Sequence, residues 1–415
     1  MTEKSVVPRR RFLKAGLLAL GAGLGGYGLA RPRLVNPCRD PALDALAESP
    51  WLARVWDGLD PGEVWDCHAH LAGVGDSGNG LEIGRQLRSL WHPVLYGQRL
   101  FYLNAGCVST EPGSVDENYA RRLALLAQNT APGFKALLFA FDWYRGADGR
   151  PDARRSTFHV PDDYARRVAA ARPDVFEWAA SIHPYAPDAV DRLEAAVARG
   201  AKAVKWLPAA QNIDPASKRC EAFFAALARL RVPLITHCGA EKAAQNASLE
   251  HLGNPLRLRR ALDAGARVVV AHCATLGADE DLDRPGTRRA SFELFARLMD
   301  RPEWKDRLFG DISAIALRNR KPVVIRALLE HDDWHDRLLN GSDYPLPGIL
   351  PLVSPAALAS RGLLPRAAVA DLQTLREHNP LLFDLALKRA LSWNGKSFPA
   401  RVFATRAFFE RHTNE

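Results

Sequence analysis

The sequence predicts an α/β fold, a closed (β/α)8 TIM barrel of parallel strands, and three observations predict it. Eight short apolar runs alternate with helix-periodic segments along the 415 residues. Potential metal ligands stand where several of those runs end, which in such barrels is the face that hosts chemistry. The composition, 47% hydrophobic and 25% charged, is that of an ordinary globular protein, and barrels of this kind reach such lengths as one domain.

The elements follow in order. Residues 1–30 read as an export signal and 31–61 as an irregular lead-in, with a short helix over 41–47. The barrel spans 62–390, and 391–415 form a C-terminal extension. Strands are expected over 63–67, 134–141, 175–182, 201–207, 233–236, 267–271, 308–312 and 337–341. Helical patterns cover 119–128, 187–199, 220–230, 255–263, 292–300 and 323–330. Residues 99–105 compete as a ninth strand, but a helix or loop there preserves the count. The segment 71–132 is then an elaborated loop with helices over the mouth, its glycine-rich stretch 73–80 expected to be mobile.

The signal reading rests on Arg9-Arg10-Arg11-Phe12-Leu13-Lys14 before a weakly apolar, Gly/Ala-rich run to Ala30. This resembles a twin-arginine signal, with cleavage after Ala30. The export machinery is then a partner and the periplasm the destination, with an uncleaved N-terminal anchor as the alternative. The run is short for a membrane span. Of the formal charge of +9, Lys4, Arg9, Arg10, Arg11 and Lys14 against Glu3 supply +4, leaving about +5 for the rest. Those remaining basic residues lack glycine and aromatic interleaving, so nucleic acid is not an expected partner. The six cysteines form no Cys-x-x-Cys pair, which excludes a zinc ribbon or dithiol motif, and no disulfide pairing is proposed. Cys67, Cys238 and Cys273 adjoin histidines on strands, where alternation turns their sulfurs away from any metal and into the packing layer.

On the first strand, Asp66-Cys67-His68-Ala69-His70 places two histidines at i and i+2, on one side of an extended chain. They can share one divalent ion. Alone, the pair reads more readily as a core and a surface histidine. The fourth run ends Val204-Lys205-Trp206, the fifth Thr236-His237-Cys238, the sixth Ala271-His272-Cys273 and the eighth Gly341-Ser342-Asp343-Tyr344-Pro345. Four imidazoles and a carboxylate converging on one mouth are costly to bury without a cation.

With those motifs in that order, the chain resembles the amidohydrolase superfamily, and within it the amidohydrolase-related branch, over residues 63–383. The resemblance implies that His68, His70 and His237 ligate metal, with Asp343 as ligand and general base. It implies that His272 binds a second ion or polarises the attacking water. Lys205, if carboxylated, bridges two ions; otherwise its head reaches solvent or a carboxylate. The implied cofactor is a divalent metal, zinc first, as one ion or two. The implied reaction is hydrolysis of an amide, lactone or ester-like bond in a small-molecule substrate. A single-metal nonoxidative decarboxylase and a silent binding protein are the alternatives, and a homo-oligomer is compatible. His183 and Asp142 are candidate substrate contacts at the third and second strand ends, with structural hydrogen bonding as the other reading. Trp206 and Tyr344 are candidate pocket walls, with core packing the alternative for Trp206. Asp311 is read as orienting a loop, and Glu241, four residues after His237, as a group supporting the ligands from behind or, more readily, as an exposed loop acid.

Overall fold

The computed structural model describes residues 34–41, 49–108, 113–242, 244 and 247–410. The expected signal over 1–30 and residues 42–47 of the expected short helix lie outside the described residues. Eight parallel strands form the barrel: β1 (Trp65–His70), β2 (Lys135–Phe139), β3 (Phe176–Ala179), β4 (Val204–Trp206), β5 (Leu234–His237), β6 (Val268–Ala271), β7 (Leu308–Asp311) and β8 (Leu338–Leu339). They pair as one group β1-β2-β3 and one group β4-β5-β6-β7-β8. Bridges Ala180–Val204 and Ala69–Tyr344 join the groups and close the ring.

The helices include α1 (Pro93–Ala105), α2 (Val115–Gln128), α3 (Asp162–Ala171), α4 (Ala189–Ala198), α5 (Glu221–Arg229), α6 (Arg259–Asp263), α7 (Ser291–Met299), α8 (Pro322–Glu330), α9 (Val369–His378) and α10 (Pro380–Ala390). Several of these helices bury one stripe. On α5 that stripe is Phe223, Phe224, Ala226 and Leu227, the i, i+3, i+4 spacing that turns one helix face inward. Residues 99–105 belong to α1, so the competing ninth strand is absent and the ligand register stands.

Trp65, Cys67, Leu137, Phe139, Ala179, Ala203, Ile235, Val269 and Leu339 fill the barrel interior. Phe408 and Phe409 pack into the same cluster, Phe409 stacking on Trp65 at 6.2 Å between ring centres. Thr405 Oγ1 accepts from Trp65 N at 3.0 Å, so the segment after residue 390 closes the lower end of the barrel.

One departure from strict alternation shapes the upper end. Asp66 pairs with Ala136, but Ala69 pairs with Leu138, so Cys67 and His68 together oppose Leu137. This is a β-bulge, and it turns both side chains to the same face. Cys67 is therefore not in the outer packing layer, as alternation predicts, but inside the barrel below His68; Cys238 and Cys273 do pack outward. The close approach of β8 to the bulge needs glycine, since a Cβ on Gly341 would lie 2.7 Å from His68 Cβ.

The segment over the mouth also differs from expectation at residues 73–80. The Asp116 carboxylate accepts from Val74 N at 2.7 Å, Gly75 N at 3.0 Å and Ser77 Oγ at 2.7 Å. A carboxylate at the start of α2 thus fixes the stretch that its glycines suggested would move. Cys38 and Cys107 form a disulfide, tying the lead-in to the end of α1.

Candidate metal centre

The upper mouth gathers side chains from β1, β4, β5, β6, β7 and the segment after β8. His68 leads the arrangement because its two ring nitrogens are assigned different partners. Nδ1 lies 2.8 Å from Asp311 Oδ2, which fixes that nitrogen as the N–H donor and leaves Nε2 a bare lone pair facing the mouth. That lone pair is 3.5 Å from Asp343 Oδ1 and 3.1 Å from Lys205 Nζ. His70 Nε2 is 3.1 Å from Asp343 Oδ1, and His272 Nε2 is 3.7 Å from Asp343 Oδ2. Three imidazoles therefore converge on one carboxylate.

Among the described residues, two groups have ligand atoms close enough to hold an ion: His68, His70 and Asp343, and His68, His272 and Asp311. The first fits a divalent cation better. It uses Nε2 of His68, whereas the second needs the nitrogen already committed to Asp311. Burial pushes His68 and His272 well below the ordinary imidazole range and lowers His237 as well, so the rings are neutral donors at physiological pH. Neutral imidazole and carboxylate are the donor set for zinc, manganese or iron.

The other expected residues are placed as follows. His237 stands outside both groups, with Nδ1 3.3 Å from Glu241 Oε2 and its ring 5.3 Å from that of His272. Glu241 is buried, not an exposed loop acid. Lys205 is fully buried, its Nζ over the Phe139 ring at 4.7 Å, and burial pulls its pKa down.

The four expected substrate contacts are engaged in the scaffold. His183 has Nε2 on Gln211 O at 2.9 Å and Nδ1 accepting from Tyr185 N at 3.2 Å, which leaves no free ring nitrogen. Asp142 accepts from His183 N at 3.0 Å and pairs with Arg192 at 3.3 Å. Trp206 lies in the layer between barrel and helices, donating to Ile182 O at 2.8 Å and stacking on Phe223. Tyr344 is buried in that outer layer against Tyr119.

Sequence reasoning understated Asp311 and missed Ser313. Asp311 accepts from His272 N at 2.9 Å and Ser313 N at 3.0 Å besides holding His68, and Ser313 Oγ lies 2.7 Å from His272 Nδ1. One buried carboxylate thus orients two of the converging histidines. Its position at the end of the seventh strand was the available signal.

The amidohydrolase family model Amidohydro_2 matches residues 65–349. No curated protein matches the sequence. Among solved structures, a TIM-barrel protein of uncharacterised function from Bordetella bronchiseptica aligns at 16% identity over 78% of this chain and 99% of its own, with a TM-score of 0.44. A Pseudomonas putida protein assigned as a 2-pyrone-4,6-dicarboxylic acid hydrolase aligns at 15% identity over 78% and 97%, with a TM-score of 0.42. The 5-carboxyvanillate decarboxylase of Novosphingobium aromaticivorans, solved with manganese, aligns at 13% identity over 83% and 95%, with a TM-score of 0.45. The family match covers most of the barrel and every converging ligand, and the chain belongs to the amidohydrolase family.

Proposed function

We propose that this chain is a metal-dependent hydrolase that cleaves an amide, lactone or ester-like bond in a small-molecule substrate. The observation that carries the reading is the convergence of His68, His70 and Asp343, with His68 held by Asp311 in the tautomer that presents Nε2. His68, His70 and Asp343 would hold a divalent ion, zinc first, with His237 and His272 as further ligands. When bound, such an ion supplies Lewis acidity and lowers the pKa of water from near 16 to about 7.

The chain's own residues supply the proton handling. Asp343 faces three imidazoles and is placed to take a proton from the attacking water and return it to the leaving group, acting as base and then acid. His272 is buried and neutral; its Nδ1 donates toward Ser313, whose hydroxyl donates to Asp311, which leaves the Nε2 lone pair toward Asp343 as a further metal-ligating atom.

Lys205 bears on the number of ions. Its Nζ stands 3.1 Å from His68 Nε2, facing the mouth instead of turning away, and an ammonium there would repel a cation. Burial favours the neutral amine, the form that can react with carbon dioxide to give a bridging carbamate. This supports the two-ion hydrolase over the single-ion decarboxylase.

The periplasm is the proposed location, reached by the twin-arginine route. The Cys38–Cys107 disulfide supports it, because such bonds persist in oxidising compartments.

The test is metal content per chain, with bicarbonate present, for wild type and Lys205→Ala, alongside assays of lactone and ester hydrolysis and of aromatic acid decarboxylation. Two ions falling to one or none, with hydrolysis in the wild type, supports the reading. One ion in both proteins, with decarboxylation alone, overturns it.

A further inference from the structure

Five of the eight large apolar side chains that stand exposed among the described residues fall between residues 90 and 101: Leu90, Trp91, Val94, Leu100 and Phe101. Leu90 and Trp91 form the turn before α1, 73% and 92% exposed, and Val94 in the first turn of α1 is 81% exposed. Val94 and Phe101, seven residues apart, share one helix face. Of the thirteen residues of α1, Arg99 alone is charged and Ala105 alone is buried. A helix so apolar is ordinarily covered, by a protein core or by lipid. The barrel holds α1 only at its rim. Gln98 Nε2 donates to Lys242 O at 3.3 Å on the loop after β5, and Gly348, a few residues beyond Asp343, comes so close that a Cβ there would lie 2.6 Å from Ala105 O.

Charge selects what covers the stripe. From residue 83 to residue 108 the chain has no carboxylate, while the exposed Arg85 and Arg88 stand just before the turn. A second copy docked on the same patch would bring two sets of these arginines together, which like-charge repulsion opposes. An anionic bilayer accepts both features: arginines at the headgroups, leucine and valine among the upper acyl chains, and tryptophan at the boundary. The entry of the chain points the same way. Residues 34–41 are held on the far end of α1, where Asn36 N donates to Asn104 Oδ1 at 2.8 Å and Cys38 is joined to Cys107. The weakly apolar run 15–30 leads into that stretch, so its retention at a bilayer would keep α1 beside the same bilayer.

We propose that the stripe from Leu90 to Phe101 is a membrane-docking surface, seated in the headgroup region of an anionic bilayer with the rim of the barrel mouth against it. The contact lies on the membrane and does not span it. Thirteen helical residues cover about 20 Å, and no helix among the described residues is long and apolar enough to cross.

The test is quenching of tryptophan fluorescence by vesicles of acyl-brominated phosphatidylcholine, with and without phosphatidylglycerol. The full chain is compared as wild type, Trp91→Phe and Leu90→Ser/Val94→Ser. Residues 1–50 contain no tryptophan, so the difference between wild type and Trp91→Phe reads the stripe and not the N-terminal segment. Wild type should be quenched, and Trp91→Phe should lose most of that quenching. Leu90→Ser/Val94→Ser should raise the lipid concentration for half-maximal quenching by about 10-fold or more, through loss of two aliphatic side chains from the bilayer. Omitting phosphatidylglycerol should raise it by about 5- to 30-fold, through loss of the attraction for Arg85 and Arg88. Thermal unfolding without lipid should match wild type in both variants, since the three side chains stand in solvent. The proposal is overturned if wild type and Trp91→Phe are quenched equally, if the serine variant behaves as wild type, or if phosphatidylglycerol makes no difference. A lowered unfolding midpoint in either variant would mean that these side chains pack within the fold, which also overturns it. So would a wild-type dimer in the absence of lipid that Leu90→Ser/Val94→Ser turns into monomer, since the stripe would then join two copies.

Discussion

Replacing Asp311 by Asn changes one atom and should reorganise the metal centre. Asp311 Oδ1 accepts from His272 N at 2.9 Å and Ser313 N at 3.0 Å, while Oδ2 accepts from His68 Nδ1 at 2.8 Å. An asparagine keeps the two backbone bonds only by setting its carbonyl oxygen in the Oδ1 position, which turns its NH2 toward His68 Nδ1. Two donors then face each other unless His68 changes tautomer. The change moves the ring proton to Nε2, the nitrogen facing His70, Asp343 and Lys205. The affinity for a divalent ion should fall by about 10- to 100-fold, roughly 1.4–2.8 kcal/mol, the range for loss of a carboxylate that orients a ligating histidine. The fold should lose only about 1–2 kcal/mol, because both backbone donors stay satisfied. Asp311→Ala should cost more in stability, since it strands those donors in a site with no exposure. Chelator competition reads the affinity and urea unfolding the stability. Wild-type metal affinity in a folded Asp311→Asn protein would refute the tautomer argument.

Three further outcomes follow from the scaffold. His183, fully buried with both nitrogens bonded as the neutral ring, has its pKa pulled down to about 4 by burial. The unfolded chain therefore takes up a proton near pH 6.5 and the folded one only near pH 4. The contribution of His183 is full above pH 6.5 and is lost, up to about 3 kcal/mol, as the pH falls between these values. Urea unfolding at pH 7 and pH 4.5 should show His183→Gln with a shallower loss than wild type, and parallel losses would contradict it. Trp206→Ala should destabilise by about 3–5 kcal/mol, as expected for emptying a packed site, and Trp206→Phe should leave KM unchanged. A raised KM would return Trp206 to the pocket wall. Lys388 is fully buried, donating to Asp384 and to Gly341 O behind the bulge, and Lys388→Met should cost about 3–5 kcal/mol by leaving Asp384 without its partner. Adding Asp384→Leu should recover most of that loss, and an additive further loss would show that the pair is not the cause.

The barrel was legible because its strands are continuous apolar runs buried on both faces, and each observed strand falls within or overlaps its expected run. The histidines and Asp343 were legible because strand ends in this architecture share one mouth. The bulge at Cys67–His68 was not, since an extra residue in one strand leaves no trace in an apolar pattern, and it reverses the side on which Cys67 packs. The glycines of 73–80 suggested motion, but the order comes from Asp116, some forty residues away. His183, Asp142, Trp206 and Tyr344 were placed near the mouth by their position along the chain. Their side chains are directed elsewhere by backbone carbonyls, Arg192 and the helix layer, partners that only the closed barrel brings together.

The most direct test of the central claim is metal content, by elemental analysis, of the wild type and the His68→Ala/His70→Ala double variant purified side by side. Stoichiometric divalent metal in the wild type and its loss from a folded double variant, with hydrolysis abolished, is the expected result. Equal metal and equal activity in the two proteins would contradict the site.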